Sequence, residues 1–178
     1  MDQTTEKILM ETAEEVLASL AFTFVMPGEQ ETSDEDVLKA KVDFSGPFNG
    51  TLIAAAPVSL VPQLAQNMLG LEEEECTEDA QHDAMRELLN VICGNLLPRL
   101  AGREPVFNLT QPNVVNETEG ETAEEKEPEN PEAKVRLPLE EGWLELVFVT
   151  DRENTGAECA RDANPGAARQ GQDTPDSL

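Results

Sequence analysis

The chain has 178 residues, about the size of one domain with some unstructured material. Its 37 acidic residues against 12 basic ones give a formal charge of -25. That balance argues against nucleic acid or an anionic membrane as a partner, because polyanions attract basic faces and would repel this chain.

In chain order, Thr4-Thr5-Glu6 opens a helical pattern in which Ile8, Ala13, Val16, Leu17 and Leu20 recur at helical spacing. The predicted helix runs to about Leu20. Residues 21–27, AFTFVMP, read as a short strand stopped by Pro27-Gly28, with an acidic loop after it. Residues 37–44 alternate well enough for a half-exposed strand. Gly46-Pro47 and Asn49-Gly50 supply hairpin turn chemistry, and 51–56 completes the hairpin as a mostly buried strand ended by Pro57. Val58–Leu69 is predicted helical and closed by Gly70.

A second long helix is predicted from near Thr77 to Leu100. Glu78 and Asp79 sit in its first turn, where carboxylates favour the positive end of the helix dipole. Pro98 should kink its last turn, since proline donates no backbone hydrogen bond and crowds the carbonyl four residues back. Residues 106–115 read as a strand, and 134–139 with 142–149 as a hairpin across Glu140-Glu141-Gly142. The fold class is therefore α+β, a mostly antiparallel sheet of about six strands covered by helices, in the order α-β-β-β-α-α-β-β-β.

Residues 116–132 hold eight Glu and one Lys without apolar periodicity, and 151–178 contain a single Leu, at the last position. Neither segment can bury enough apolar surface to offset its ordering entropy, so both are expected to be disordered around a folded unit within 1–150. Cys76, Cys93 and Cys159 show no CxxC spacing, and the N-terminus MDQTTEK lacks a basic and apolar leader. No apolar run approaches the roughly 18 residues of a membrane span. A cytoplasmic location is expected.

At about 100° per residue, Asp83, Glu87, Asn90 and Gly94 fall within roughly 60° of one another. Met85, Leu88, Leu89, Ile92, Leu96 and Leu100 take the opposite arc. The helix should pack one side on the sheet and display a carboxylate, an amide and a glycine in one row. Glycine there lowers the surface and lets another protein come close, at a helix-propensity cost of about 1 kcal/mol against Ala. A polar face is ordinary on an amphipathic helix, however, and spacing alone does not make it a site.

More specific is the setting. The run Phe44-Ser45-Gly46, Asn49-Gly50-Thr51-Leu52-Ile53, then Leu64 to Gly70, then Asp83 to Asn95 resembles the CheX-like branch of the CheC/CheX/FliY chemotaxis phosphatases. Those proteins share a signature of Asp or Ser, three residues, Glu, two residues, Asn, met here by Asp83, Glu87 and Asn90. Their wider pattern has a Pro farther on, and Pro112 stands one position short of that register. Pro98 is foreign to the pattern.

The resemblance implies a phosphatase for the phosphoaspartate of a CheY-like receiver domain. Asn90 would enter the receiver's active site and orient the attacking water, and Glu87 would pair with the receiver's active-site Lys. Asp83 would be a rim contact and Gly94 a clearance residue. No cofactor of the chain's own is implied, since the receiver brings Mg²⁺ and positive charge. A homodimer is allowed, because CheX relatives can dimerise and CheC relatives need not; an exposed strand edge would be its place. The competing reading is a non-catalytic module that docks on a receiver or flagellar-switch component. His82, the only histidine, lacks the basic neighbours that would hold a phosphate, and Trp143 reads as sheet packing.

Overall fold

In a computed structural model, residues 3–28, 36–116 and 131–151 are described. Most of the two segments expected to be disordered, 117–130 and 152–178, lies outside them. Helix α1 spans Gln3–Val16 and continues as a π-helical turn, Leu17–Ala21. Strands β1 (Val37–Ser45) and β2 (Gly50–Pro57) form the first hairpin, and helices α2 (Val61–Leu69) and α3 (Glu78–Ala101) follow. Two short strands, β3 (Asn108–Leu109) and β4 (Asn113–Asn116), precede the second hairpin of β5 (Ala133–Leu139) and β6 (Gly142–Thr150). The α+β class holds: among the described residues, three α-helices accompany one open antiparallel sheet of six strands.

Across the sheet the order is β3-β1-β2-β6-β5, with β4 also on β1, so the two hairpins meet through β2 and β6 at the centre. Register follows the period of two. Leu38, Ala40, Val42 and Phe44 of β1 lie level with Ala56, Ala54, Leu52 and Gly50 of β2. Leu52 and Ala54 in turn oppose Phe148 and Leu146 of β6. These side chains are buried with Leu9, Ala13 and Leu17 from the first helical stretch and with the inner side of α3. Burying an apolar side chain of this size contributes about 1.5–3 kcal/mol, so the alternating pattern fixes which sheet face meets the helices.

On the other face, Glu145 of β6 is buried between Lys134 at 3.1 Å and Arg136 at 2.9 Å, both from β5. The Arg136 guanidinium also lies 4.1 Å from the centre of the Trp143 ring, and that ring is buried. Trp143 is therefore sheet packing, as its sequence position suggested. Pairing matters for Glu145, because a buried carboxylate without cations would cost several kcal/mol.

Two predicted strands are corrected. Residues 22–26 do alternate, with Phe22, Phe24 and Met26 outward and Thr23 buried, but they form no strand. Phe22 adopts a left-handed conformation (φ 50°) at the end of the π turn. The nearest strand then offers Pro138, whose carbonyl accepts from Met26 N–H at 2.8 Å and which has no N–H to return. A ladder cannot propagate past it.

The predicted strand 106–115 is divided. Phe44 opposes Leu109 and Lys41 opposes Asn113, so Thr110, Gln111 and Pro112 face only Val42 and Asp43. That is a bulge, and Pro112 suits it because an unpaired position asks for no donor. Thr110 bridges the gap. Its N–H donates to Asp43 O at 2.9 Å, and its hydroxyl accepts from Asp43 N–H at 3.1 Å.

Candidate functional site on the exposed row of helix α3

Thr77 caps α3, its hydroxyl accepting from Ala80 N–H at 3.3 Å, with Glu78 and Asp79 in the first turn. The predicted start is therefore observed. The helix does not stop at Pro98; it continues to Ala101, and Gly102 lies beyond. Near this end Arg99 reaches α1, where it donates to the Thr12 hydroxyl at 3.3 Å and pairs with Glu15. Along its inner side Ala84, Met85, Leu88, Leu89, Ile92, Cys93, Leu96 and Leu97 are all buried. Burial pushes the Cys93 thiol up to about 12, because a thiolate in apolar surroundings would lose its hydration.

Asp83, Glu87, Asn90 and Gly94 are exposed, one after another along the outer side. The row spans about 16 Å at 1.5 Å per residue. Its members differ in their bonding. Asp83 is held by Arg86 at 2.7 Å, one helical turn on. Glu87 and Asn90, in contrast, make no side-chain hydrogen bond or ion pair with any described residue. Gly94 is open: a Cβ there would meet nothing within 4 Å. Next to it, Asn95 folds back and donates to Val91 O at 2.8 Å, so this second asparagine is occupied by its own helix.

Of the four residues singled out in the sequence, all lie together on one face. Two further residues stand beside them. Arg86 ties up Asp83, and its spacing of three from an aspartate was the available signal. Pro98 lies exposed at the end of the same row. His82 is half-buried, 3.9 Å from Glu78, and away from the row's open side chains. No three His, Cys, Asp or Glu side chains among the described residues cluster closely enough to hold a metal ion. The row is a convex helix face, and such a surface suits a protein partner better than a small molecule, which needs concavity.

The geometry presents an amide and a carboxylate one turn apart on one helix, both exposed and without partners among the described residues. The sequence profile of the family described as chemotaxis phosphatase CheX matches residues 38–131, which takes in the first hairpin, α2, α3 and the bulged strand. The chain belongs to that family. The chemotaxis protein CheX of Desulfovibrio desulfuricans is similar in structure, with a TM-score of 0.62 at 18% identity over 83% of this chain and 99% of that one. CheX of Borrelia burgdorferi, solved as a CheX–CheY–BeF₃–Mg²⁺ complex, gives 0.60 at 18% identity over 81% and 96%. A CheC-like chemotactic protein of Shewanella oneidensis gives 0.60 at 22% identity over 85% and 100%. No curated protein matches the chain. No helix among the described residues is long and apolar enough to cross a membrane.

Proposed function

We propose that this protein hydrolyses the aspartyl phosphate of a CheY-like receiver domain by lending it one positioned water. The observation that carries the reading is the pair Glu87 and Asn90, exposed, one turn apart and without partners among the described residues, on a helix whose other side is locked in the core. Leaving a mid-helix asparagine unbonded has no structural return, because Asn is a poor helix former. The complex known for the Borrelia relative makes a CheY-type receiver the natural partner.

The chemistry suits these groups. An acyl phosphate has a good leaving group, so the receiver needs no nucleophilic side chain from its phosphatase. The Asn90 amide can accept a hydrogen bond from a water and donate one as well, which fixes the oxygen in line with the phosphorus. Water oxygen bonds to phosphorus, the bond from phosphorus to the aspartyl oxygen breaks, and the products are inorganic phosphate and a free carboxylate. The Mg²⁺ that neutralises developing charge is the receiver's. Glu87 pairs with the receiver's active-site lysine and sets the register of docking. Asp83, held by Arg86, acts at the rim, and Gly94 gives clearance.

The test follows phosphate release from a CheY-type receiver charged with a small-molecule phosphodonor. Wild type should accelerate release, and Asn90→Ala should lower kcat about 100-fold or more, the usual cost of one positioned polar group at a reacting centre. An Asn90→Ala variant as fast as wild type would sink the catalytic assignment. Tight binding to the charged receiver without faster release would instead mark a non-catalytic docking module.

A further inference from the structure

Pro98 plays no part in the chemistry just described, yet it stands on the same exposed side of α3, four residues after Gly94. In a helix the carbonyl of one residue accepts from the N–H four residues on. Proline has no N–H, so the Gly94 carbonyl lacks the donor that its neighbours along the helix find. Gly94 itself is exposed and has nothing within 4 Å of the place a Cβ would occupy. The two residues act on one backbone group. Pro98 withholds the intrahelical partner, and Gly94 adds no side chain beside it. Both are poor helix residues, and both sit inside a helix that runs three residues past Pro98.

We propose that the Gly94 carbonyl is a fixed hydrogen-bond acceptor on the docking face, taken by an N–H or O–H of the receiver domain, and that Pro98 is the positioning residue that keeps it available. The inference rests on the reading of this row as a receiver-docking surface. Gly94 lies one turn, about 6 Å along the axis, beyond Asn90. Its bond therefore falls beside the receiver's reaction centre. It contributes to affinity and to the choice of receiver, and leaves the water untouched. A proline placed only to bend the helix and aim Arg99 at α1 would affect stability and leave receiver affinity alone.

Pro98→Ala and Pro98→Val both restore an N–H at position 98, and Val keeps an apolar branched surface in place of the ring. Affinity for a receiver held in its active form by beryllofluoride is read by titration calorimetry, which does not depend on turnover. Both variants should bind about 3- to 10-fold more weakly, the range of one neutral hydrogen bond. Their kcat should stay within about twofold of wild type, and their Tm at or above it. Unchanged Kd in both variants overturns the proposal. So does a loss in Ala that Val restores, which would assign the effect to the ring surface. Phosphate release by wild type is measured alongside. Its absence would remove the phosphatase reading while the Kd comparison still decides the role of Gly94, and absence of any binding by wild type overturns both.

Discussion

Two glycines, at the mouth of the first hairpin and on the outer row of α3, stand in opposite surroundings. A Cβ on Gly50 would lie 2.1 Å from Val149 O and 2.6 Å from Phe44 Cζ. Around it Phe44 stacks on Phe148 at 5.6 Å and meets Phe48 and Phe107 edge-on at 5.8 and 6.1 Å. A Cβ on Gly94 would touch nothing. The first glycine is explained entirely by this chain's own packing. The second, with Glu87 and Asn90 beside it, finds no packing or bonding partner among the described residues. On the proposed reading, such residues, which gain nothing from their described neighbours, are the ones that face the receiver.

The sharpest way to break that comparison is Gly50→Ala. The added methyl cannot be accommodated without moving backbone, and the loss should be on the order of 3 kcal/mol or more in denaturant unfolding. A variant of near wild-type stability would mean that the sheet end is looser than its contacts indicate. Activity per folded molecule should survive, since the site is elsewhere.

Cys93 tests the inner side of α3 through pH. Its thiol is raised from 9.0 to about 12 in the fold. Below about pH 9 both states hold the proton and the stabilisation is complete. As pH rises toward 12 the unfolded chain gives up that proton while the folded one keeps it, so stability falls. The slope from this group approaches 1.4 kcal/mol per pH unit at most, about one pKa unit's worth. Unfolding curves from pH 8 to 11 should be steeper in pH for wild type than for Cys93→Ala. Equal slopes would place the thiol in contact with water.

Glu87→Ala should leave stability within about 0.5 kcal/mol, as for exposed positions without partners, yet raise KM for the charged receiver about 10-fold. The smallest effect separates the two glycines most cleanly. Gly94→Ala adds a better helix former in open space and should stabilise the protein by up to about 1 kcal/mol. Phosphate release should nevertheless slow, because the methyl occupies the partner's space. Higher Tm with unimpaired release would return Gly94 to the status of an ordinary surface residue.

Much of this molecule was legible before its structure. The capped start of α3, its buried and exposed sides and the two hairpins all follow from local rules: a threonine whose oxygen meets an orphan N–H, a period of 3.6 or 2, a turn residue at the right offset. The signature of Asp83, Glu87 and Asn90 is of the same kind, since a helix makes four residues in sequence into neighbours in space. What the sequence could not decide depends on who stands opposite. Residues 22–26 have the alternation of a strand, but the strand beside them offers a proline carbonyl and no donor. The 106–115 segment pairs as predicted, yet in two registers, because three residues must face two of β1. Glu145 found two cations on the neighbouring strand, in a chain that has few. Periodicity tells which way a side chain points. Partners from distant parts of the chain are brought by the tertiary fold, and only there did it become plain that, of the row's acidic and amide groups, Glu87 and Asn90 are the two without a partner among the described residues.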